Sequence, residues 1–460
     1  MGPSSCKSTA TTSGLLLCVV VSFLAELAHG HGERLVPALY VLGDSQADVG
    51  NNNQLELSPL RANFPRNGID YPGQQATGRF SNGYNFVDFL AGSLGLASPP
   101  AYHSIRDTAG SNSTYLNGVN FASGGAGVSD LTNKGQCFSF DHQIERDYSS
   151  VHSELVRQLG QPQATAHLSK SIFVVAIGGN DIILRALPPA VELTVEVAAV
   201  ISLPPQEFIH SLAQTLRRQL QRLYDLGMRR LFFVGAAPIG CVPLMRELSR
   251  LTTGNCHDGA NDLSVRYNAG VRSLLADMNT QHPDFHYSFF DSYTALMQYI
   301  NEPEANGYAQ VKAACCGLGD NGAMYRCGRV STVCPDRTNH MFWDLVHPTE
   351  TTSRKLTGIA FDGSPPLVSP INENASLPTA CPGRQRHKPS RQRLCRPQSH
   401  VAVGKEQSAK PGSAKADLPT ATWHTVGKAF ANCHASRRHS HVAPSALTAG
   451  FADCWFLGSR

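Results

Sequence analysis

The sequence predicts an α/β domain with a central parallel sheet covered by helices on both faces. Two observations carry that expectation. Four short apolar runs, "ALYVLGDS", "SIFVVAIGGND", "RRLFFVGAAPIG" and "YSFFDSY", each end on glycine or small polar residues. Helix-like spans lie between them, and buried strands that alternate with amphipathic helices build parallel sheets with both faces dry. In such sheets ligands bind just beyond the carboxyl ends of the strands. Ser45, Asn180 and the "GAAPIG" loop all fall there.

The elements are taken in chain order. Residues 1–30 read as a secretory signal: Lys7 gives a basic start, "LLLCVVVSFLAELA" an apolar core, and Ala28 and Gly30 the small residues before a cut. That core is shorter than the ~20 residues a spanning helix needs, and it contains Glu26. Cleavage is expected near Gly30 or His31, and export to the extracellular space or cell wall. Residues 2–6, "GPSSC", also fail the myristoylation pattern. No later run is long and apolar enough to span a bilayer.

The body, residues 31–373, holds the apolar runs. Helix-like spans are 81–93 and 206–226; in the second, Phe208, Leu212, Leu216, Leu220 and Leu223 recur three or four apart with arginine and glutamine between. No repeat of fixed period interrupts the pattern. Export makes the cysteines disulfide candidates. Cys315, Cys316, Cys327 and Cys334 crowd a glycine-rich stretch; irregular spacing and the lack of a histidine among them favour a disulfide-stapled loop over a zinc site. Cys241, with no activating histidine nearby in sequence, reads as a disulfide partner or buried thiol. Asn112 and Asn374 begin glycosylation acceptor triplets.

Residues 374–460 differ in kind. They carry thirteen Lys and Arg against Glu406, Asp417 and Asp453, so the basicity belongs to this tail and the body is mildly acidic. Without a recognisable module, the tail does not indicate nucleic-acid binding. It is expected to be a disordered or aberrant appendage outside the core. The sequence leaves the oligomeric state open.

Chemistry concentrates in a few places. A serine esterase needs an activated hydroxyl, a carboxylate that fixes the tautomer of its base, and donors for the oxyanion. The nearest match to a G-x-S-x-G elbow, "AGSLG" around Ser93, comes after a helix-like segment and is set aside. Ser45 instead comes after a strand, and Gly43 lets the chain turn there. Asp344 and His347, three apart in "FWDLVHPTE", can place a carboxylate on the imidazole Nδ1–H, while Pro348 stiffens the segment beyond the histidine. The loop "GVNFASGGAGVSD" can offer a backbone N–H and Asn180 a side-chain amide, which with the Ser45 N–H make a three-donor oxyanion hole. No phosphate-binding glycine pattern competes for that loop. Asp48, Asn51 and Asn52 read as turn-shaping residues, Asp181 as a cap or orienter of the Asn180 loop, and Asp291 as a cap.

Taken in order, "GDSQADVGNNN", "GRFSNG", "GVNFASGGAG", "GGND", "APIGCVP" and "FWDLVHPTE" resemble the signature blocks of the plant GDSL-type esterase/lipases of the SGNH hydrolase superfamily, from about residue 36 to 373. The resemblance implies a three-layer α/β/α, flavodoxin-like fold, secretion, and cofactor-free and metal-free hydrolysis of carboxylic esters. It maps the nucleophile onto Ser45, the general base onto His347 and the third triad member onto Asp344. The oxyanion hole maps onto Ser45, Gly125 (Gly124 if the loop aligns one residue off) and Asn180. Gln46 stands where the family has the leucine of its name, a departure that bears on substrate fit. Two rivals share the fold: an acyltransferase with the same triad, and a non-catalytic glycan-binding protein. The ester substrate, whether lipid, acetylated glycan or phenolic ester, is not readable from these blocks.

Overall fold

The computed structural model describes residues 34–107, 115–188, 194–249 and 254–370. The expected signal, both glycosylation asparagines and the basic tail lie outside the described residues.

The four apolar runs form strands β1 (Leu39–Gly43), β2 (Ile172–Ala176), β3 (Arg230–Val234) and β4 (His286–Phe290), all parallel and in that spatial order. A fifth strand, β5 (Val368–Pro370), closes the β4 edge antiparallel. β1 and β2 are buried along their whole length, as runs covered on both sides must be. The opposite flank of β1 is covered by a segment the sequence pattern did not mark as extended. Val41 N–H donates to Val119 O at 2.9 Å, Phe121 N–H to Val41 O at 2.7 Å and Ser123 N–H to Gly43 O at 3.0 Å. In chain order the parallel rows then run 2-1-3-4-5, the order of flavodoxin-like sheets.

Eight helices carry the argument: α1 (Phe86–Ser93), α2 (Ser149–Leu159), α3 (Gln161–Lys170), α4 (Gly179–Ala186), α5 (Pro205–Asp225), α6 (Asp258–Gln281), α7 (Ser292–Asn301) and α8 (Glu350–Asp362). Alternate residues of a strand point to opposite faces, and the aromatics show which helix each face meets. Phe86 of α1 stacks on Phe232 and Phe290 at 6.1 Å each, and α1 packs against α8. On the other face, Arg272 of α6 lies 4.1 Å over the Phe289 ring, and α6 packs against α5. The result is the three-layer α/β/α sandwich.

α5 matches its expected span nearly residue for residue, with the five apolar positions buried. α1 starts later than expected, at Phe86, because Asn85 caps it. The Asn85 side chain accepts the Val87 and Asp88 N–H groups, and Asp88 in turn accepts the Asn85 N–H. Asp88 is itself held by the buried Arg79 guanidinium at 2.7 and 2.8 Å.

What positions the site is the register. Gly43, Ala176, Val234 and Phe290 fall in one row across the sheet, so the loops after all four strands open on the same edge. The cysteine-rich stretch is stapled by Cys315–Cys334 and Cys316–Cys327, and Cys241 pairs with Cys256. The first two bridges pack on the fully buried Trp343, whose indole N–H donates to Asn67 Oδ1 at 2.9 Å. They therefore fix the chain immediately before Asp344. No helix among the described residues is long and apolar enough to cross a membrane.

Candidate active site

Ser45 stands two residues past the end of β1. Gly43 has φ 142°, and a Cβ there would lie 2.1 Å from Ala176 O, so only glycine lets the strand end this close to its neighbour. A buried glutamine the sequence reading passed over holds the same residue: Gln143 accepts the Gly43 N–H and donates to Gly43 O, both at 2.8 Å. The serine loop is thus pinned from both sides at its root.

Asp344 and His347 arrive from the far end of the body on one tight turn. Asp344 Oδ1 accepts the Val346 and His347 backbone N–H groups at 3.0 and 2.9 Å. Its carboxylate faces His347 Nδ1 at 2.8 and 2.9 Å, and His347 Nε2 lies 2.7 Å from Ser45 Oγ. After Pro348, Thr349 caps α8, which anchors the exit of the turn. Phe80, within "GRFSNG", packs its ring 4.9 Å from the imidazole. Burial alone would push the Asp344 carboxyl up, but the facing imidazole and the two backbone N–H groups outweigh it and hold the group below the usual carboxylate range. The row can therefore draw a proton from the serine hydroxyl onto Nε2 while Nδ1–H stays on an ionised carboxylate.

Three donors surround Ser45. Among the described residues, the Ser45 and Gly125 N–H groups donate to no other group, whereas Gly124 N–H is used by Asp48 Oδ2 at 3.0 Å and Ala126 N–H by Ser123 O at 3.1 Å. That difference separates Gly125 from Gly124. Asn180 donates one amide hydrogen to Ala126 O at 2.9 Å, which orients the side chain and leaves its second hydrogen for a ligand. Ser45, Gly125 and Asn180 line one common cavity.

The neighbouring polar residues do more than shape a turn. Asp48 accepts Gly50 and Asn51 N–H on Oδ1 and Gly124 N–H on Oδ2. Asn51 donates to Asn120 O and Ala122 O, and Asn52 donates to Gly124 O while accepting from Ser123 Oγ. These side chains cross-link the serine loop to the glycine loop. Asp181 does the same for the other end of that loop, accepting from Val128 N–H, Ser129 N–H and Thr132 Oγ1. Burial pushes Asp48 up to about 6, against the pull of its N–H donors. Asp291 caps α7 through Thr294 N–H, as expected, and Ser93 ends α1 with its side chain exposed.

Asp48→Asn is expected to destabilise the fold by about 1–3 kcal/mol, because its NH2 would face an N–H donor in either orientation and strand a buried group. A urea midpoint lowered at unchanged slope is the check; an unchanged midpoint would show that the cross-link contributes nothing.

Two cavities meet at Ser45. The larger, about 1070 Å³ with open solvent included, is walled mostly by apolar side chains, among them Phe86, Ile177, Ile239, Phe290 and Leu356, and Gln46 also lines it. The smaller, about 690 Å³ on the same measure, holds His347, Asp344, Gly125, Phe80, Arg61 and Arg326. Both include Ser45, Asn180, Ile183 and Val346. Gln143 and Arg326 lie outside the motif blocks, and the role of Phe80 within "GRFSNG" was not read, because these residues come to the site from distant segments.

Residues 39–357 match the family described as GDSL-like Lipase/Acylhydrolase. Among curated proteins of Arabidopsis thaliana, the chain is 37% identical over 361 residues to GDSL esterase/lipase At1g71250, covering 78% of this chain and 94% of that one. It is 37% identical over 343 residues to GDSL esterase/lipase At5g55050, with 73% and 88% covered. To GDSL esterase/lipase At3g50400 it is 33% identical over 364 residues, with 78% and 96% covered.

Proposed function

Because the chain belongs to the GDSL-like lipase/acylhydrolase family and is a carboxylic ester hydrolase, we propose that Ser45, His347 and Asp344 are its catalytic triad and that the enzyme is secreted. The observation that carries the triad is the unbroken hydrogen-bonded row from Ser45 Oγ through His347 to Asp344. Export is supported by the N-terminal signal pattern and by three disulfides, which persist in oxidising compartments.

The cycle has two halves. Ser45 Oγ attacks the ester carbonyl carbon as His347 Nε2 takes its proton. The oxyanion is held by Ser45 N–H, Gly125 N–H and the free Asn180 amide hydrogen. The C–O bond to the alcohol then breaks, and the imidazolium returns the proton to the departing oxygen. Water, deprotonated by His347, attacks the acyl-serine; collapse expels Ser45 Oγ, which regains the proton, and the acid is released.

A fluorophosphonate probe tests this directly. Attack by Ser45 Oγ on phosphorus displaces fluoride and leaves a stable phosphonyl-serine. One probe per chain is expected on the peptide containing Ser45, and none on heat-denatured protein. Labelling elsewhere, or none on folded protein, would remove the serine from the mechanism.

A further inference from the structure

The second cavity carries a feature that ester hydrolysis alone does not require. Arg326 lines it beside Ser45 and His347, and among the described residues its guanidinium makes no hydrogen bond or ion pair. Arg61 also lines this cavity, donating Nε–H to Ser58 O at 3.1 Å. Among the described residues the one carboxylate lining this cavity is Asp344, which is already engaged by His347 and two backbone N–H groups. Burial pulls the Arg326 guanidinium down, and the Asp344 charge only partly offsets it. A half-buried cation with no hydrogen-bonded counter-ion is costly unless a ligand supplies one.

The side of the ester that meets this cation is set by the chemistry. The imidazolium must hand its proton to the leaving oxygen, so the alcohol departs on the side where His347 stands. His347 lines the smaller cavity and is absent from the walls of the larger one. The apolar cavity is left for the acyl group.

We propose that Arg326, assisted by Arg61, recognises an anionic group on the alcohol portion, so that the preferred substrates join an apolar acid to an alcohol bearing a carboxylate or phosphate. Guanidinium forks match both anions through paired N–H donors. The inference rests on the triad assignment for the direction of the ester, and on Arg326 alone for the anion.

Three butanoate esters test it: those of 3-hydroxybenzoate, of 3-hydroxyphenyl phosphate and of neutral 3-hydroxybenzamide. The full chain is expected to favour at least one anionic ester over the amide by about tenfold or more in kcat/KM, the scale of one charged hydrogen bond. Which anion wins identifies the source. Arg326→Gln should bring the ratio close to one, and Arg326→Lys should restore part of it. A ratio near one in the wild type, or a ratio that survives Arg326→Gln, overturns the proposal.

Binding separates this from the catalytic reading. The favoured product anion should bind the Ser45→Ala protein about tenfold more tightly than the Ser45→Ala, Arg326→Gln protein by calorimetry. No binding, or equal affinities, also overturns it, whether or not esters are cleaved. Binding as expected in a chain that hydrolyses none of the three esters would remove the triad assignment and leave the anion site standing.

Discussion

Replacing Ser45 by alanine is expected to lower kcat for p-nitrophenyl butyrate by about four to six orders of magnitude while leaving the protein folded. The size comes from the geometry. The hydroxyl is the group positioned to attack, 2.7 Å from the base that would deprotonate it. Without it His347 and Asp344 have nothing to activate except water, and the oxyanion donors still supply the residual rate. The fold is spared because, among the described residues, Ser45 Oγ bonds only to His347 Nε2, in a wall shared by two cavities. The root of the loop is held instead by Gly43 and Gln143. An unfolding free energy from urea titration within about 1 kcal/mol of wild type, alongside the lost activity, is therefore part of the expectation. Retention of more than about a hundredth of the wild-type rate would mean that another nucleophile does the work.

Much of this site was legible because its parts are local. Each of the four parallel strands β1–β4 comes from a run of apolar residues ended by glycine or a small polar residue, and Gly43 is required by a close approach to Ala176 that any sequence must solve with the same residue. Asp344 and His347 are three apart, so their pairing is written in a single turn. What escaped depends on segments that meet only after folding. Gln143 reaches Gly43 from a segment a hundred residues along the chain, just before α2, and Phe80 meets His347 from a loop near the opposite end of the chain. Residues 119–123 lack the apolar run of a strand, yet β1 offers them a vacant flank and they fill it. Cysteine spacing indicated bridges without saying which thiols pair. Asp48, Asn51 and Asn52 looked like turn residues because side-chain to backbone bonding is a local habit; their reach to the glycine loop is a tertiary fact. The two cavities have walls drawn from many segments, so neither the apolar acyl side nor Arg326 could be read before the fold existed.

Asp344→Asn should lower kcat by about four orders of magnitude with little change in KM, and the hydrogen bonds say why an almost isosteric change is so costly. Two backbone donors, Val346 and His347 N–H, point at the Oδ1 position. An asparagine will turn its carbonyl oxygen toward them, which places its NH2 where Oδ2 was, 2.9 Å from His347 Nδ1. An N–H on Nδ1 would then face that NH2 donor as well as the carbonyl oxygen at 2.8 Å, so the Nδ1–H tautomer loses its preference, and an imidazole protonated on Nε2 can no longer take the proton of Ser45. Nitrogen NMR of the imidazole should report the exchanged tautomer, a readout that mere loosening of the loop would not produce. The carboxyl also links stability to acid. Because it titrates lower in the folded chain than in the unfolded one, its contribution is complete above the unfolded value near ~4 and is lost as the pH falls through the lower folded value. Wild type should therefore lose more stability than Asp344→Asn across that acid window. Activity of the variant within about tenfold of wild type would show that Asp344 orients no proton, and would remove it from the triad.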